Sequence, residues 1–75
     1  MNNKRRAEIR KIHMALETIL SDIERIKGEE ELAYENMPEN LQYSDRGEAS
    51  QEAIDCLEEV YNNMEEIIDL LEEVV

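Results

Sequence analysis

The sequence predicts an all-α fold: an antiparallel two-helix hairpin of coiled-coil type, with two copies pairing into a four-helix bundle. Three observations predict it. Apolar residues recur at alternating steps of three and four in both halves of the chain. A proline-containing break separates the halves. The second half carries more apolar surface than one facing helix covers. Two Gly, one Pro and no Phe or Trp argue against a sandwich, a barrel or a base-stacking surface. With 75 residues the chain is expected to be one domain, 1–75. A lone chain of this size buries only about 60% of its unfolded surface, so pairing is an expected source of stability.

Helix 1 is expected over about residues 3–36. Ile9, Ile12, Leu16, Ile19, Ile23 and Ile26 form a seven-residue repeat with two apolar positions, the pattern of helices crossing at a shallow left-handed angle. Gly28 lies inside this helix and costs roughly 1 kcal/mol relative to Ala, which makes it the expected place for a kink or break.

A loop is expected over about residues 37–44. Pro38 disfavours helical geometry at Met37 and has no backbone N–H to donate. Asn36 and Glu39 have the spacing of a single capped turn. Ser44 or Asp45 suits the next N-cap, and Asp45 with Glu48 has capping-box spacing.

Helix 2 is expected over about 45–75, with apolar residues at Ala53, Leu57, Val60, Met64, Ile67, Leu71 and Val74. Folding the chain at the loop sets Ile9 opposite Val74, Ile12 opposite Leu71, Leu16 opposite Ile67, Ile19 opposite Met64, Ile23 opposite Val60 and Ile26 opposite Leu57. The layers weaken toward the loop, where Glu30 would face Ala53, Ala33 would face Ser50 and Met37 would face Arg46. Beside the main stripe run Ile54, Tyr61, Ile68 and Val75, with Cys56 and Leu70 on the other flank. Met14, Ala15 and Leu20 are similar extras on helix 1. A homodimer would bury these columns.

The formal charge of −12 is unevenly placed. Residues 1–27 hold seven basic and four acidic side chains, and residues 28–75 hold one basic and sixteen acidic ones. In the hairpin, Arg10 and Lys11 approach Glu72 and Glu73, which orients the helices more than it stabilises them. Such acidity argues against direct binding of nucleic acid or anionic lipid, because phosphate contacts need Lys and Arg. The basic start lacks the apolar core of a signal peptide, and no long apolar run spans a membrane. The single Cys56 makes no internal disulfide. A soluble protein of the reducing cytoplasm is the expectation.

Candidate catalytic chemistry is absent, and no enzyme, cofactor or metal is expected. The one histidine, His13, has Glu17 four residues on, which suits a local hydrogen bond; the Glu-x-x-His pairs of a di-iron bundle are missing. Glu30 is the one carboxylate on the core stripe, at its weak end. Cys56 stands among Asp55, Glu58 and Glu59, and nearby negative charge suppresses thiolate. Gly28 and Gly47 are isolated, so there is no phosphate loop, and no calcium-binding loop occurs.

Two binding surfaces are expected. One is apolar, at the loop and on the extra column: Tyr34, Met37, Leu41, Tyr43 and Tyr61. The other is an acidic face of helix 2, formed by Asp45, Glu48, Glu52, Asp55, Glu59, Glu66, Asp69 and Glu73. The paired acids Glu58-Glu59, Glu65-Glu66 and Glu72-Glu73 repeat every seven residues, as a solvated coiled-coil exterior does. A rigid row of carboxylates also resembles a phosphate backbone, and its target would be a basic, nucleic-acid-binding protein. The expected function is thus a non-enzymatic protein-interaction module, with a nucleic-acid-mimicking inhibitor as the alternative.

The stretch from Asn36 through Met37-Pro38-Glu39-Asn40-Leu41-Gln42-Tyr43-Ser44-Asp45-Arg46-Gly47 to Glu48, followed by Glu52-Ala53-Ile54-Asp55 and Leu57-Glu58-Glu59, resembles a family of short, acidic, functionally uncharacterised helical proteins. These come from Firmicutes, their phages and other mobile elements. The similarity covers most of the chain from Glu30 onward, and Met37–Glu48 is its most specific part. No functional residue carries over. The resemblance implies a context: a phage- or mobile-element-derived protein in the host cell cytoplasm, binding a host or phage protein and, in the mimicry alternative, inhibiting a host defence or nucleic-acid-binding protein.

Overall fold

A computed structural model describes residues 1–75 as three helices: α1 (Asn3–Glu35), α2 (Glu39–Gln42) and α3 (Asp45–Glu72). Asn2 caps α1, its Oδ1 accepting the backbone N–H of Arg5 at 2.8 Å, a device worth about 1 kcal/mol. α1 runs through Gly28 without interruption and ends just before the Met37-Pro38 step that opposes its continuation. The expected loop contains the short helix α2, whose Leu41 and Gln42 N–H groups both donate to the Pro38 carbonyl. α3 ends at Glu72, three residues before the expected end of helix 2.

α1 and α3 lie side by side and antiparallel. The Cα envelope measures 58 × 14 × 12 Å and its radius of gyration is 17.2 Å, against about 11 Å for a compact chain of this length. The fold is therefore an all-α helical hairpin, one layer of two helices with a thin core between them.

The pairing register differs from the expected one by three residues along α3. Buried Ser50 donates its hydroxyl to Glu30 Oε1 at 2.6 Å. Stepping seven residues at a time from that bond pairs Ile23 with Leu57, Leu16 with Met64 and Ile9 with Leu71, all half-buried. The second seam column consists of His13, Leu20, Lys27 and Tyr34 on α1 and of Gly47, Ile54, Tyr61 and Ile68 on α3. Ile54 and Ile68 are the buried apolar side chains. The expected layers through Ile12, Ile19, Ile26, Val60, Ile67 and Val74 do not form; these six side chains are 39–52% exposed. Likewise Ile54, Tyr61 and Ile68 belong to the hairpin seam rather than to a spare column.

The hinge supplies the reason. Gln42 Nε2 donates to the Tyr34 carbonyl at 3.0 Å, tying α2 to the end of α1. Gly47 is buried against α2, where an added Cβ would overlap the Gln42 carbonyl and the Leu41 oxygen. That close approach sets the entry of α3, and with it the register. Ser44 is the N-cap of α3 by position, but its hydroxyl turns back to donate to the Leu41 carbonyl and makes no cap bond.

Candidate interaction faces

The long sides of the hairpin differ in chemistry. One flank of the seam is charged. There Glu17, Glu24 and Glu31 of α1 stand on the same side as Gln51, Glu58, Glu65 and Glu72 of α3. His13 marks that side: its Nδ1 lies 2.8 Å from Glu17 Oε1, as the spacing predicts. Its Nε2 lies 3.3 Å from Glu72 Oε1 without forming a hydrogen bond. Nearer the loop, an open groove of about 420 Å³ runs between Lys27, Glu31 and Tyr34 of α1 and Gln51, Ile54 and Glu58 of α3. Lys27 pairs with Glu31 along the α1 wall of this groove at 3.3 Å. Tyr61 opens onto the same flank. Its phenol is held above the ordinary value of 10.0 by Glu24 first, then by Glu65 and by burial, with Lys27 opposing.

The opposite flank is apolar. Each seam residue of the second column is preceded in sequence by a residue on this side. These are Ile12, Ile19, Ile26 and Ala33 on α1, and Ala53, Val60 and Ile67 on α3, continued by Val74. Because the charged flank is built from the residues on the other side of the same columns in both helices, the two apolar rows share one face. Ile12 stands level with Ile67, Ile19 with Val60 and Ile26 with Ala53. Sequence reasoning placed these residues inside the hairpin. The signal for their exposure was that His13 and Lys27 occupy the neighbouring column, where each finds a carboxylate partner.

An acidic row lies on the outside of α3. Asp45, Glu48, Glu52, Asp55, Glu59, Glu66, Asp69 and Glu73 are all exposed. None of them has a cationic partner within 4.0 Å. Asp55 accepts from Gln51 at 3.3 Å.

The five expected apolar contact residues do not form one cluster. Tyr34, Met37 and Leu41 are half-buried at the hinge, and Tyr43 is exposed beside them. Tyr61 lies in the seam, about 27 Å along α3 from Tyr43 at 1.5 Å per residue. Cys56 is free and exposed. No group of three or more His, Cys, Asp or Glu side chains converges on a metal-sized site. No helix is long and apolar enough to cross a membrane.

These faces define the class to which the chain belongs: an acidic, antiparallel helical hairpin with one apolar and one charged flank. No family model, curated protein or solved structure matches it.

Proposed function

We propose that this protein is a non-enzymatic, acidic helical-hairpin module that works by binding protein, and that its apolar flank is the docking surface. One observation carries the reading. On α1 the apolar column Ile12, Ile19 and Ile26 lies on the flank, 42–52% exposed, while the mixed column His13, Leu20, Lys27 and Tyr34 lies in the seam with α3. Contiguous exposed apolar rows mark interaction sites. The resemblance of Met37–Glu48 to proteins of Firmicutes phages and mobile elements supports a host or phage protein as partner and the host cytoplasm as the place of action.

The test compares binding by the natural protein with binding by Ile19→Glu/Ile67→Glu, at low and high salt. Apolar docking predicts a complex that withstands salt and is lost in the double variant. A complex indifferent to Ile19 and Ile67 refutes it.

The second reading, a nucleic-acid mimic directed at a basic cleft, is favoured by the unpaired carboxylates of α3. From Asp45 to Glu73 they extend for about 42 Å. Such a complex weakens steeply with ionic strength and is abolished by charge reversal at Glu52, Asp55 and Glu59. Survival of binding after that reversal excludes mimicry.

A further inference from the structure

The size and shape of the uncovered flank bear on what covers it. A compact monomer of 8.8 kDa exposes about 4,800 Å². This hairpin exposes 5731 Å², an excess of roughly 900 Å². A standard protein–protein interface hides about 800 Å² on each partner. The excess, which comes from the elongated shape of the whole hairpin, is similar in size to what one such interface hides.

The backs of the two helices carry opposite charge. The back of α1 presents Lys4, Lys11 and Arg25, with Glu8, Asp22 and Glu29 between that row and the isoleucines and Arg25 paired to Glu29 at 3.1 Å. The back of α3 presents Glu52, Glu59, Glu66 and Glu73, with the uncharged Ala49, Cys56, Asn63 and Leu70 between that row and Val60, Ile67 and Val74. Within one hairpin these edges lie on opposite outer sides and cannot meet. A second copy turned about an axis parallel to the helices brings α3 of the partner beside α1. Each basic edge then lies along an acidic one: Lys11 falls at the height of Glu66 and Glu73, and Arg25 at the height of Glu52 and Glu59. The other two-fold arrangement sets the Glu row of α3 against its own copy, which like-charge repulsion disfavours.

We infer that the apolar flank is covered by a second copy of this chain. The product is an antiparallel four-helix bundle with both hinges at one end, in which α1 of each copy lies between α3 of its own hairpin and α3 of its partner. Ile12, Ile19, Ile26, Val60, Ile67 and Val74 form the interface core. The charged flank, with the Tyr34–Ile54 groove, stays open on each copy. This inference rests on the reading of the apolar flank as a protein-docking surface and names its occupant.

The experiment is a mass measurement by sedimentation equilibrium over a range of concentrations. It uses the natural chain and variants whose substituted residues are exposed in the hairpin, with helix content followed by far-UV circular dichroism. The natural chain is expected at twice 8.8 kDa. Ile19→Glu and Ile67→Glu are each expected at the monomer mass with helix content largely kept. Lys11→Glu is expected to weaken dimerisation roughly two- to fivefold, and adding Glu66→Lys and Glu73→Lys to that variant restores it, because only an intermolecular pair connects these edges. A natural chain that stays monomeric at tens of micromolar overturns the inference, as does a dimer that survives both isoleucine substitutions. Failure of the charge swap to restore pairing overturns the parallel-axis arrangement. A monomeric natural chain that still binds another protein through Ile19 and Ile67 sinks the second copy as occupant and leaves the docking surface standing.

Discussion

The same substitution at the two glycines is expected to move stability in opposite directions. Gly28 is exposed on α1, and a Cβ built there meets nothing within 4 Å. Gly28→Ala removes a helix-propensity deficit of about 1 kcal/mol. With an unfolding entropy of about 2.1 cal/mol/K per residue, that raises Tm by about 6 °C. Gly47 also sits in a helix and gains the same propensity, but its Cβ would overlap the backbone of Gln42 and Leu41. Backbone cannot yield as a side-chain tip does, so α2 must move off α3. That movement breaks the Gln42–Tyr34 bond, worth about 1 kcal/mol, and uncovers part of Leu41 and Met37, worth about 1 kcal/mol each. Displacement of the first turn of α3 adds about 1 kcal/mol. After the propensity gain, Gly47→Ala is expected to destabilise by about 2–3 kcal/mol and to lower Tm by about 12–18 °C. Thermal melts followed by far-UV circular dichroism at one fixed protein concentration read both changes. A neutral or stabilised Gly47→Ala protein would refute the close approach of α2 to α3, and with it the account of how the register is set.

Three further outcomes are expected. Ser50→Ala removes the hydroxyl that Glu30 accepts from and costs about 1 kcal/mol in urea unfolding; a double-mutant cycle with Glu30→Gln returns a coupling of similar size, and no coupling means the bond is not made. Ile54→Ala empties one of the two buried apolar positions and costs about 2–4 kcal/mol in the same assay. Tyr61 has its folded pKa raised above 10.0 by Glu24, Glu65 and burial. Its neutral phenol therefore contributes stability that is fully present below pH 10 and is lost as pH rises through the folded pKa; Tyr61→Phe flattens that alkaline loss, and an unchanged alkaline slope counts against the Glu24 contact.

The seven-residue repeats and Pro38 were enough to read the element types, the antiparallel pairing and a turn near residues 41 and 42, because spacing alone carries that information. The rotation of each helix was not legible. Ile9, Leu16 and Ile23 lie in the seam under either register, but Ile12, Ile19 and Ile26 compete with His13, Leu20 and Lys27 for the second column. Apolar content favours the isoleucines. The deciding features are the Gly47 approach to Gln42, the Gln42–Tyr34 bond and the Ser50–Glu30 bond. These connect residues up to 20 positions apart and have no periodic signature. The acidic row on α3 was legible because exposure of eight carboxylates follows from the cost of burying any of them. The hinge aromatics were recognisable as residues, but their separation from Tyr61 depended on the register.

The rotation of α1 also constrains what surrounds the hairpin. Turning α1 by one column would bring three half-exposed isoleucines against α3, for a gain of about 1 kcal/mol each. It would also move half-buried Leu20 and Tyr34 out of the seam, for a loss of about 1 kcal/mol each, while the His13–Glu17 and Lys27–Glu31 contacts, which lie within α1, would turn with it. For a hairpin surrounded by water, burial alone therefore separates the two rotations by only about 1 kcal/mol, and the hinge decides between them. A second layer over the isoleucine column removes the conflict, since the two columns then face two neighbours and neither is left in water. His13 and Lys27 lie at the edge of the seam beside their carboxylate partners Glu17 and Glu31 on α1, and the isoleucine column is the one left to face a neighbour. With the apolar flank covered both columns are buried; with it bare the isoleucines stay half exposed.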